Sequence, residues 1–155
     1  MNHINSRRTP YDDNYETCER TYAELRIYSD DMDPRLITRW LGIDPTEAST
    51  KGEHVACGMG RQRVAKVNGW FLSSENVVAS RDLRRHLDWL LDKIELTAGK
   101  LGELQNKAGL TMGINCVWWS ATGSGGPTLW PEQMVRMANL ELECSFEVCF
   151  FGEEV

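Results

Sequence analysis

A chain of 155 residues with 41% hydrophobic and 26% charged side chains is proportioned as one ordinary globular domain, long enough to bury roughly two-thirds of its unfolded surface. Its net charge of −6 speaks against gripping a phosphate backbone, so no nucleic acid is expected as a partner. No apolar run approaches the roughly 20 residues of a membrane span and the N-terminus lacks a secretory core, which leaves a cytoplasmic domain with no membrane contact as the expectation.

Residues 1–20 carry Arg7, Arg8, Pro10, Asp12 and Asp13 without apolar period and read as a flexible leader to a single domain over 21–152. From Tyr22 to Tyr28, Ala23, Leu25 and Ile27 alternate with polar neighbours, as in a half-buried strand. Asp33-Pro34 then caps a short helix with Leu36, Ile37, Trp40 and Leu41 at helical spacing, and Gly42 stops it. The stretch from Ile43 to Arg63 shows no sustained period and reads as a long loop. Val64–Val67 and Trp70–Ser73 flank Asn68-Gly69, a pair suited to a two-residue hairpin turn.

Ser80 is the expected cap of a helix whose apolar face is Leu83, Leu87, Leu90, Leu91 and Ile94, with Arg81, Arg84, Arg85, Asp88 and Asp92 in water and His86 at the surface or boundary. That helix ends or bends at Thr97 to Gly99, and Leu101 and Leu104 continue it until Gly109. Leu110 to Trp119 is strand-like, with Met112, Ile114, Cys116 and Trp118 to one side. After the Gly-rich segment before Pro127, Thr128 caps a third helix with Met134, Val135, Met137 and Ala138 as its apolar side. In the last strand Leu142, Cys144, Phe146, Val148 and Phe150 make a core row and Glu141, Glu143, Ser145, Glu147 and Cys149 an acidic one.

The order of elements predicts an α+β domain: a mostly antiparallel sheet with a ferredoxin-like β-α-β-β-α-β core, an extra helix and strand, and helices on one face. Five cysteines without C-x-x-C spacing indicate neither a disulfide framework nor a zinc knuckle, and all except Cys18 are expected to be buried.

Several short features, namely Ala23 to Ile27, Asp33-Pro34 with Leu41 to Pro45, Gly52, Gly69-Trp70, the Leu83 to Leu91 helix, Trp118, Pro127 with the glycines before it, and the closing strand, together carry a likeness. From Tyr22 to Phe151 the chain resembles a bacterial family of small α+β domains of unknown function. The resemblance suggests an immunity-type protein, a stoichiometric inhibitor of a bacterial toxin, and brings no catalytic residues with it.

The residues offer partner-binding candidates and little chemistry. Gly123, Gly125 and Gly126 sit between strand and helix, where backbone amides attract anions, yet both the P-loop ending and G-x-G-x-x-G spacing are missing. Trp118 and Trp119 must face opposite sides of a sheet, which makes Trp119 the outward ring, and Trp130 follows the same loop. Glu141, Glu143 and Glu147, joined by Glu24 if the first strand is near, form a carboxylate row suited to a basic toxin domain, and Arg26 would neutralise part of it.

Glu53, His54 and Cys57 fall short of a zinc site, Asp30 and Asp31 beside the capping Asp33 are a thin basis for a divalent cation, and no cofactor is implied. The leading reading is a protein-binding domain, with a homodimer through the last strand left open. An anion or small-ligand sensor and an uncharacterised enzyme are the alternatives.

Overall fold

The first strand is the centre of the molecule. In chain order the elements are β1 (Cys18–Ser29), α1 (Pro34–Leu41), β2 (Glu47–Ser49), β3 (His54–Ala56), β4 (Gln62–Val64), β5 (Asn68–Ser73), α2 (Leu83–Glu95), α3 (Ala98–Gln105), β6 (Leu110–Ser120), α4 (Pro131–Asn139) and β7 (Cys144–Phe150). They come from a computed structural model that describes residues 8–57 and 59–150, so Met1–Arg7 of the expected leader and residues 151–152 of the expected domain lie outside the described residues. Among these, five strands form a mixed sheet in the order β2-β5-β1-β6-β7, antiparallel except for β6 beside β7. β3 and β4 make a separate small hairpin.

The alternation read in β1 places Ala23, Leu25 and Ile27 fully inside, against the helices, and Tyr22, Glu24, Arg26 and Tyr28 half-buried on the opposite face. Leu83, Leu87, Leu90, Leu91 and Ile94 of α2 meet that apolar row, joined by Ile37 and Leu41 of α1 and Leu101 and Leu104 of α3. The result is an α+β domain with its helices packed on one face of a mostly antiparallel sheet. Among the described residues no helix is long and apolar enough to cross a membrane.

The caps explain where the helices begin. The Asp33 carboxylate accepts the Arg35 N–H at 2.9 Å, Pro34 occupies the first helical position, and Gly42 closes α1 at φ 71°. In α2 the cap is Asp82 and not Ser80, whose hydroxyl instead accepts the Asp82 N–H at 3.0 Å. In α4 it is Trp130 and not Thr128; the Gln133 side chain accepts the Trp130 N–H at 2.9 Å.

Other expectations give way to tertiary contacts. Asn68 and Gly69 open β5 and make no hairpin turn, because the Asn68 amide is a buried bridge that accepts the Lys51 N–H at 2.7 Å and donates to the Met32 carbonyl at 2.9 Å. Val64 pairs instead with His54. Arg84 is 2% exposed, because its guanidinium meets the Asp82 carboxylate inside the protein. His86 is likewise buried. The inward side of α4 is Gln133 and Met137, since Gln133 donates to the Arg84 carbonyl at 2.9 Å; Met134, Val135 and Ala138 face outward.

In β7 only the row's beginning, Leu142 and Cys144, reaches the core. Phe146, Val148 and Phe150 are 44%, 62% and 51% exposed, because β7 is an edge strand and α4 leans on α2. The cysteine expectation is also corrected: Cys18 is buried at the start of the central strand, Cys57 is exposed beside the small hairpin, and Cys144 and Cys149 are partly covered.

From Arg8 onward the leader is a strap across the starts of α2 and α4. The Thr9 carbonyl accepts from the Trp130 indole at 2.7 Å and from Arg84 at 3.1 Å, the Asp12 N–H donates to Asp82 at 2.7 Å, Tyr11 bonds Asp88, and Tyr15 donates to the Gly126 carbonyl at 2.8 Å.

Candidate functional site

Even-numbered residues of β1 from Arg20 to Tyr28 point away from the helices, so the polar half of its alternation becomes the floor of an open sheet face. Arg20 stacks on Trp119 at 4.6 Å and pairs with Glu75, while Arg26 bonds Glu24 and reaches Glu147 at 3.3 Å. Tyr28 meets the edge of Phe71 at 5.6 Å. The β3–β4 hairpin partly roofs this floor, leaving a cavity of about 370 Å³ lined by Tyr22, Glu24, Arg26, Phe71, Glu75 and Arg63 among others.

Titration on this floor follows its crowding. Burial raises the Tyr22 hydroxyl to about 12, helped by the carboxylates of Glu75, Glu24 and Glu147. Glu24 is also raised, by burial first and then by Glu147 and Glu75, against the pull of Arg26. Next to it Asn115, 3% exposed, accepts from the Ser145 hydroxyl at 2.9 Å and leaves its amide nitrogen without a partner among the described residues. These groups can receive polar atoms, but they form no nucleophile–base pair.

The predicted partner-binding residues do not converge. Trp119 does lie on the open face, with Trp118 buried opposite. Glu143 and Glu147 share that face along β7, and Glu24 sits two strands away; Glu141 stands before the strand with φ 55°. Trp130 is elsewhere: 7% exposed, it lies beneath the strap, stacked by Tyr11 at 4.5 Å and Arg8 at 4.0 Å.

The glycine loop is shaped by close neighbours. A Cβ on Gly125 would sit 2.5 Å from the Thr17 hydroxyl, one on Gly123 would sit 3.1 Å from the Phe150 ring, and both have φ 85°. The Gly126 carbonyl is taken by Tyr15. Packing therefore accounts for Gly123 and Gly125.

Sequence reasoning missed the pair with the most reactive arrangement. His86 Nε2 donates to the Ser80 carbonyl at 2.8 Å, which leaves Nδ1 to accept the Ser74 hydroxyl at 2.7 Å. A serine bonded to an imidazole is nucleophile chemistry where substrate can reach it. Here Ser74 is fully buried and also accepts the Ala23 N–H at 3.0 Å, so the pair ties α2 to β1 and to the 74–82 loop. Its only sequence signal was a histidine amid the apolar positions of a helix.

Two further clusters resolve simply. The Cys116 and Cys144 sulfurs lie 3.7 Å apart as free thiols sharing a hydrogen bond, and that bond together with burial pushes the Cys116 thiol up. No three His, Cys, Asp or Glu side chains converge on a metal-sized site among the described residues; His54 and Cys57 are exposed, as are Asp30 and Asp31, and Asp33 caps α1.

β7 is the feature with no account from folding alone. Natural sheets blunt their edges with short strands, charge or proline, whereas this edge is seven residues long and its helix-side row beyond Cys144 is Phe146, Val148 and Phe150. Its other row alternates Ser145, Glu147 and Cys149.

A family model described as a domain of unknown function, DUF4279, matches residues 19–150. No curated protein and no solved structure matches the chain.

Proposed function

The chain belongs to the DUF4279 family, and we propose that it is a binding module that takes up an extended segment of a protein partner along β7. The observation that carries this reading is the edge strand, uncovered among the described residues, with three large apolar side chains about half exposed in one row. Strand addition would give the partner main-chain hydrogen bonds, and Phe146, Val148 and Phe150 would receive every second side chain. On the opposite row Glu143 and Glu147 favour basic residues, Arg26 offsetting part of that charge.

An immunity-type inhibitor of a basic toxin domain is the finer form, which the acidic row would suit, and a bacterial cytoplasm is the compartment that five free cysteines suit. The test is affinity capture from host lysate with the native chain and with Phe146→Asp/Val148→Asp, alongside light scattering for self-pairing. A stoichiometric partner held at least about tenfold more weakly by the double variant is expected, since central apolar anchors dominate interfaces. A partner retained in full by that variant, or none at all, would sink the reading.

A further inference from the structure

A second surface, on the helix side where α1 meets α3, joins apolar groups to positive charge. Leu36 and Trp40 lie one helical turn apart on α1, and Lys100, Leu104 and Lys107 follow the same spacing along and just beyond α3. With Met32 and Arg39 they line a cavity of about 340 Å³ between the two helices. Leu104 and Met32 form its floor; Leu36 and Trp40 remain 47% and 38% exposed.

The rim is cationic throughout. Lys100 and Lys107 approach the Trp40 ring at 5.1 and 5.2 Å, while the Trp40 indole N–H donates to the Lys100 carbonyl at 3.2 Å and holds the ring between them. No acidic residue lines the cavity, and among the described residues Arg39, Lys100 and Lys107 enter no ion pair. Three like charges gathered around one cavity repel one another, and an anion placed among them would relieve that repulsion. The exposed leucine and tryptophan cost solvation at the same spot.

We propose that this cavity binds a small amphipathic anion, an acyl chain ending in a carboxylate, with the chain laid on Met32, Leu36 and Trp40 and the carboxylate held by Lys100, Lys107 and Arg39. An apolar floor with a few convergent polar groups is the usual form of such sites, and the cavity lies within their usual range of about 300–1,000 Å³. The cations discriminate by charge, so a neutral molecule of the same shape loses the ionic half of the contact.

The test uses decanoate below its micellar concentration, with decanol as the neutral match, followed through the Trp40 indole N–H signal in NMR spectra of the full chain. Decanoate is expected to shift that signal saturably and to bind about tenfold or more tightly than decanol. Lys100→Glu/Lys107→Glu, both at exposed positions, should lower decanoate affinity by about tenfold or more while the melting temperature stays near that of the native chain. Equal binding of acid and alcohol, binding unchanged by the charge reversal, or no saturable shift of Trp40 would each overturn the proposal.

Discussion

At Gly125 two requirements meet in one residue: a left-handed φ of 85° and a hydroxyl where a Cβ would stand. Gly126 next to it has open space and no such φ. Gly125→Ala should therefore destabilise the fold by about 1–3 kcal/mol, whereas Gly126→Ala should leave it nearly unchanged. Urea denaturation of the two variants checks this, and equal losses would refute it. Such positions are not legible from the sequence of the loop itself. Glycines between a strand and a helix look like an anion cradle, and the residues that demand two of them, Thr17 and Phe150, lie far along the chain in opposite directions. Arg84 was misread for the same reason: a charge at a helix start looks wet until Asp82 and Thr9 close around it.

Single elements were the most legible level. Alternation in β1 and the leucine spacing of α2 report side-chain direction, and direction alone settled which face became core. The same signal in β7 was equally clean yet reported nothing about cover, because alternation says which way Phe146 points and not whether a helix lies there. His86 shows how an element is tied to its neighbour. Burial holds this imidazole below its ordinary 6.5, so in the window between that lowered value and 6.5 the unfolded chain binds a proton that the folded chain refuses. Its contribution is intact above 6.5 and falls away as the pH drops beneath it. The loss of stability between about pH 7.5 and about pH 5.5 should be smaller in His86→Gln than in the native chain. Identical losses in urea titrations at the two pH values would contradict this.

At the scale of the whole molecule, the strap, α2 and α4 meet on one buried pair. Asp82 and Arg84 are 0% and 2% exposed at their side chains, and the guanidinium extends to Thr9 and to within 5.2 Å of the Trp130 ring. Removing one member leaves the other charge buried without its match. Arg84→Ala should cost about 3–5 kcal/mol, and protease should then cut first in the strap, around Tyr11 to Tyr15; a variant as stable as the native chain would disprove the linkage. Strap and pair were invisible in the sequence, where residues 1–20 show no apolar period, while the α+β class was legible because it needs only the kinds of elements and their order. The central position of β1 carries one more consequence, for synthesis. Its two neighbours, β5 and β6, begin about 40 and about 80 residues after it ends, so the nascent strand leaves the ribosome with both backbone edges unpaired and Leu25 and Ile27 uncovered. The domain is therefore most open to aggregation while it is being made, until the chain has grown past Ser120.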